Sequence, residues 1–149
     1  MTTIRRATID DLERLEPLAR KFYASSTRLR IFDPARFVGL WTTLLKGSAA
    51  IFLLLEEGQV TGAIGGVAHP EPYSTESTAT EFFWFVEPGR RGGGIKLYRS
   101  FEGWARSLGC SEIRMGRLAD VMPEKVERAY KALGFREVET VYAKRLEVA

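Results

Sequence analysis

The chain has 149 residues, 45% hydrophobic and 28% charged, with 22 basic against 19 acidic side chains and a formal net charge of +3. That length fits one domain, residues 1–149, able to bury a full core without metals or disulfides. The near balance of charge argues against a dedicated nucleic-acid binder, no stretch approaches the ~20 apolar residues of a membrane span, and the lone Cys110, unable to form an internal disulfide, predicts a reducing, cytoplasmic setting.

In chain order, MTTIRRATIDDLERL carries no apolar signal core, and TIRRAT (3–8) reads as an edge-like first strand. Asp10 or Asp11 caps a helix with apolar positions at Leu12, Leu15, Leu18, Ala19 and Phe22, one stripe toward a core. Pro17 removes a backbone donor inside that pattern, and a kink is expected. SSTRLRIF (25–32) is a connection. Asp33 and Pro34 supply a cap and an N1 proline for a second helix through Phe37, Leu40, Trp41, Leu44 and Leu45, ended by Gly47.

AAIFLLLEE (49–57), a turn at Glu57-Gly58 and QVTGAIGGVAH (59–69) read as a hairpin. Residues 69–78, with two prolines, read as a loop. ATEFFWFV (79–86) is apolar on both faces, as in a central strand; Phe82 to Phe85 and Trp104 read as packing residues. EPGRRGGGIKLYRSFEGWARSLG (87–109) follows as a glycine turn and an amphipathic helix. CSEIRMG (110–116) is a short strand, residues 124–133 a helix capped by Gly134, and FREVETVYAKRL (135–146) a closing segment, one bent strand or a tight hairpin at Glu139-Thr140. The alternation gives an α/β fold.

Gly92, Gly93 and Gly94 are out of place at a helix start. Each glycine inside a helix costs about 1 kcal/mol relative to alanine. A turn whose main-chain N–H groups face outward explains them better: strand, glycine turn and helix N-terminus form an anion cradle, with Arg90, Arg91 and Lys96 adding positive charge. A purely structural connector is the other reading. GxxxxGK[ST] is missing, which disfavours a triphosphate P-loop; GxGxxG followed by an acidic residue is missing too, which disfavours a dinucleotide fold. His69, the sole histidine, has no partners with which to build a catalytic triad or a metal site, so no metal is expected. Cys110 reads as a structural thiol.

VEPGRRGGGIKL (86–97) together with VERAYKALGF (126–135) resembles the GCN5-related N-acetyltransferase (GNAT) superfamily. The family's acyl-CoA loop, Gln or Arg, any two, Gly, any one, then Gly or Ala, aligns with Arg91, Gly92, Gly93, Gly94, Ile95 and Lys96. Lys96 departs from the small residue usual there. Tyr130 matches the tyrosine of the motif "Tyr, any three, Gly, Phe".

The resemblance implies a mixed, mostly antiparallel central sheet flanked by helices, in the order β-α-α-β-β-β-α-β-α-β with a further closing strand in many relatives. It implies acetyl-CoA as cosubstrate, with its pantetheine arm in a gap between the strand ending at Val86 and the strand at 112–116, near Phe85 and Val86, and its pyrophosphate on the amides of 91–96. It implies direct transfer to a primary amine on a small-molecule or protein acceptor. Glu81 is the candidate proton acceptor, against a solvated strand-edge residue, and Tyr130 the candidate donor to the departing thiolate, against a core tyrosine. Arg28, Arg30 and Tyr73 fall on loops flanking the acceptor side. A catalytically inactive CoA-binding regulatory module is the alternative reading. A short closing strand would leave room for a homodimer.

Overall fold

A computed structural model of the chain describes residues 1–24, 31–89, 92–117 and 123–147. The chain forms two compact units, Met1–Gly116 and Arg117–Ala149. The first holds a five-stranded sheet in the order β1-β2-β3-β4-β5, with β1 Thr2–Arg6, β2 Ala49–Glu56, β3 Gln59–Pro70, β4 Ser77–Val86 and β5 Glu112–Arg114. Its neighbours are antiparallel except for β4 and β5, which run parallel. Three helices belong to the same unit: α1 Leu12–Ala24, α2 Pro34–Leu45 and α3 Gly93–Ser107.

The pleat of β2 sorts the core. Ile51, Leu53 and Leu55 lie in one buried cluster with Leu12, Leu15 and Leu18 of α1 and Trp41 of α2. Ala50 and Leu54 lie in another with Leu97, Phe101 and Trp104 of α3. Side chains alternate across a strand, so α1 and α2 cover one sheet face and α3 the other. Phe101 is fully buried, a contribution of roughly 2 to 3 kcal/mol from its apolar surface.

Local chemistry explains the element ends. Asp33 accepts hydrogen bonds from the amides of Ala35 (3.0 Å) and Arg36 (3.2 Å), capping α2, with Pro34 as its first residue. Glu57 and Gly58 both take positive φ, 50° and 78°, as a tight hairpin turn demands. Asp11 works differently from a simple cap. Thr8 precedes a short 3-10 turn, Ile9–Asp11, and the Asp11 carboxylate reaches back to the Thr8 amide (2.8 Å). The same carboxylate takes a two-pronged bond from Arg5 of β1, at 2.7 and 2.8 Å, which ties the first strand to the first helix. Pro17 is exposed on α1, and the helix continues through it to Ala24.

Two expectations are corrected. His69 belongs to β3, which extends to Pro70, so the loop shortens to residues 71–76. Residues 135–147 form no strand. Valine, threonine and tyrosine favour strands only where a pleated neighbour receives them; among the described residues no strand pairs with this segment, and Val141 and Tyr142 are 81% and 90% exposed. The second unit otherwise consists of α4, Pro123–Ala132, ended by Gly134 at φ 92°.

Candidate active site

β4 and β5 part early. Their pairing covers Thr78–Thr80 against Glu112–Arg114, after which β4 continues to Val86. Near the parting, Glu81 is half-buried and its Oε1 accepts a hydrogen bond from the Gly116 amide at 3.2 Å. Farther along, Phe85 stands opposite Ala63 and Val86 opposite Gly62 on β3. The Glu87 amide donates to the Thr61 carbonyl at 2.8 Å. Antiparallel ladders alternate the direction of their main-chain groups. Phe85 therefore directs its amide and carbonyl at β3, while Val86 directs its own away from β3, toward the side on which β5 lies.

β4 also carries a bulge. Phe83 pairs with Gly65 but Glu81 pairs with Gly66, leaving Phe82 as an extra residue. Phe82 and Phe83 consequently both meet Trp41, edge to face, at centroid distances of 5.8 and 5.3 Å. Phe82 is 51% exposed and is a rim residue, where a packing residue was expected. The reason is this insertion, which breaks the two-residue alternation.

The glycine turn leads from the end of β4 into α3. Gly92 is the N-cap, left-handed at φ 80°, and offers no side chain to cap the helix. The first four N–H groups of a helix have no partner within it. Here those belong to Gly92, Gly93, Gly94 and Ile95; the amide of Lys96 is the first that can bond back along the helix, to the Gly92 carbonyl. Two of the three glycines have a local cause, and Gly94 has none in the packing. Gly92 needs positive φ. Gly93 is buried against Leu54, whose Cδ2 occupies the position of a Cβ. Gly94 would receive a Cβ in ordinary contact with Trp84 and Val86, 3.7 Å from each. Its carbonyl accepts the Trp84 indole N–H at 3.1 Å, which straps the helix start to β4. Lys96 is exposed. Arg90 and Arg91 lie outside the described residues, as do Arg28 and Arg30.

A diphosphate fits this end of α3. The helix start has main-chain donors without an intrahelical acceptor, open space within 4 Å of where a Gly92 side chain would begin, and an exposed lysine in the first turn.

Tyr130 is half-buried on α4 of the second unit. Its ring lies 5.4 Å from that of Phe135, and its carbonyl accepts the Phe135 amide at 2.9 Å. The Tyr-to-Phe spacing of the motif thus appears as a closed turn around Gly134. Tyr73 is 95% exposed in the loop after β3. His69 is held by the Thr80 hydroxyl (2.7 Å) and the Pro70 carbonyl (3.0 Å). Burial pushes the Cys110 thiol above its ordinary pKa, the opposite of what activates a nucleophile.

In this unit the sheet opens beside a helix that begins without a side-chain cap. Residues 11–135 match the model of the acetyltransferase (GNAT) family, and the chain belongs to that family of N-acetyltransferases. Comparison with curated protein sequences gives no match. Among solved structures, a putative acetyl transferase from Pyrococcus furiosus is 21% identical, with 98% of this chain and 100% of that one covered and a TM-score of 0.79. The ribosomal-protein-alanine N-acetyltransferase from Brucella melitensis is 18% identical over 97% and 99%, with a TM-score of 0.76. AAC(6')-Iy, solved with the bisubstrate analogue CoA-S-monomethyl-acetylneamine, is 18% identical over 99% of both chains, with a TM-score of 0.78. These likenesses establish the shared fold. No helix among the described residues is long and apolar enough to cross a membrane.

Proposed function

We propose that this acetyltransferase takes its acetyl group from acetyl-CoA and transfers it directly to a primary amine. The observation that carries the reading is the glycine-led start of α3, bare of any side-chain cap, at the end of a strand that has parted from its neighbour. Acetyl-CoA supplies a thioester at the end of a long arm bearing a diphosphate. The amides of Gly92 to Ile95, with Lys96 and Arg91, hold the diphosphate. Val86, and not Phe85, lends main-chain groups to the arm, because those of Phe85 serve β3.

An alkyl ammonium with a pKa near 10 must lose a proton before it can attack. Glu81 accepts that proton, directly or through water. The amine nitrogen then bonds to the thioester carbon, the carbon–sulfur bond breaks, Tyr130 protonates the departing thiolate, and the second proton, lost by the newly acylated nitrogen, returns through water to the Tyr130 oxygen.

The test is thiol release from acetyl-CoA in the presence of primary amines, run beside a titration of CoA. Release that depends on amine supports the reading. CoA binding with no transfer to any amine would mark a regulatory module instead, and failure to bind CoA would remove both readings.

A further inference from the structure

Beside β4, on the sheet face opposite α3, lies an open-mouthed cavity of about 280 Å³ bounded by α1, α2 and the sheet. Its walls include Phe22 of α1, Phe37 and Trp41 of α2, and Phe82, Phe83 and Phe85 of β4. No charged side chain lines it among the described residues. The bulge at Phe82 builds one wall by turning two consecutive phenylalanines toward Trp41. Leu40 and Phe82, each 51% exposed, form part of its rim.

We infer that this cavity is the acceptor pocket and that it takes an amine carrying an aryl or branched apolar group, such as an arylalkylamine or the apolar first residue of a peptide. An apolar cavity of ~150 Å³ holds benzene, so this one has room for a phenyl ring and a short chain. A polycationic amino sugar does not match these walls, because an ammonium buried without a partner costs far more than the contacts return. An aromatic group sits well there, edge to face with the rings already present. The amine itself remains at the rim, where Phe82 adjoins Glu81 in the chain.

The placement favours the acceptor over a long acyl chain. The start of α3 packs on Leu54, Trp84 and Val86, on the other sheet face. An acyl chain held from that side would have to cross the edge of β4 to enter, whereas an acceptor arrives from the cavity's own face. The name "acceptor" rests on the acetyltransferase reading; the chemistry of the ligand does not.

The experiment therefore measures binding without acetyl-CoA. Calorimetric titration of the full chain with 2-phenylethylamine is compared with 1,5-diaminopentane and kanamycin. The aryl amine is expected to bind at least about tenfold more tightly than either polycation. Ala19 lines the cavity, and Ala19→Trp, which fills it, should weaken 2-phenylethylamine by at least about tenfold. Phe82→Ala, at a half-exposed rim residue, should weaken it about fivefold, with a thermal melt checking that the variant is folded. Equal affinity for the three amines, or affinity indifferent to both variants, overturns the inference. So does a dependence on acyl-CoA chain length that Ala19→Trp abolishes while amine affinity is unchanged. Selective aryl-amine binding without turnover would leave the pocket standing and overturn only the transferase reading.

Discussion

Gly93 rests directly against the side chain of Leu54, with no room between them for a Cβ atom. The middle glycine of the turn is therefore held by packing, independently of any ligand. A methyl group there should overpack the α3 face of the sheet. Gly93→Ala is expected to destabilise the protein by about 1 to 2 kcal/mol in urea unfolding, despite the gain in helix propensity. In a Leu54→Ala background the same substitution should cost nothing or stabilise, a coupling that a double-mutant cycle reads directly.

Tyr130→Phe keeps the ring beside Phe135 and removes the hydroxyl. Acetyl transfer is expected to fall well over tenfold, with CoA affinity similar to that of the unmodified protein. Steady-state turnover and a CoA titration check both halves, and unchanged turnover would take Tyr130 out of the chemistry.

The Arg5–Asp11 pair sets a pH dependence of stability. The Arg5 guanidinium, above all, holds the Asp11 carboxyl well below its ordinary range against the opposing effect of burial. A carboxylate lowered in the folded state stabilises it above its unfolded pKa, about 3.9. That contribution fades as pH falls below about 4 toward the depressed folded-state value. Asp11→Asn should cost about 2 kcal/mol at pH 7, and its difference from the parent protein should shrink in acid. A constant difference from pH 7 to pH 2 would contradict this.

Tyr98 gives the opposite case, at the alkaline end. Burial, then its hydrogen bond to Glu102 at 2.7 Å, pushes its phenol well above the ordinary range near 10. The proton is held more tightly in the folded state, so this stabilisation is complete below pH ~10 and lost as pH rises through the folded-state value. Ultraviolet titration of tyrosinate should show a late step, coincident with alkaline unfolding, to which Tyr98 contributes. Tyr98→Phe should diminish that late step.

Most of the sheet and its helices were legible in the sequence, because their periods are long and their caps explicit. The stripe Leu12, Leu15, Leu18 and the Asp33-Pro34 start both lie where their spacing puts them. The bulge at Phe82 was not, since it depends on how Gly65 and Gly66 of another strand meet β4. Two phenylalanines in succession after Glu81 were its one local sign, and the aromatic cavity follows from it. The closing segment failed for a related reason: a strand is a property of a pair, and residues 135–147 carry only one half of that information. The glycine run was legible as a strand-to-helix junction, but the expected three-glycine turn is corrected: Gly93 and Gly94 already belong to α3 and only Gly92 stands outside it. The separate causes at Gly92 and Gly93 required the partner atoms of β2 and the backbone angles.

Gly94 separates the two explanations of the glycine turn. A Cβ is tolerated there, and an acidic residue in the first turn of a helix favours it by about 0.3 to 1 kcal/mol. Gly94→Asp should therefore leave the melting temperature unchanged or raise it. If the α3 amides receive a diphosphate, the same carboxylate repels it, and acetyl-CoA affinity measured by calorimetry should fall more than about tenfold. Undiminished affinity in a stably folded Gly94→Asp protein would contradict the account.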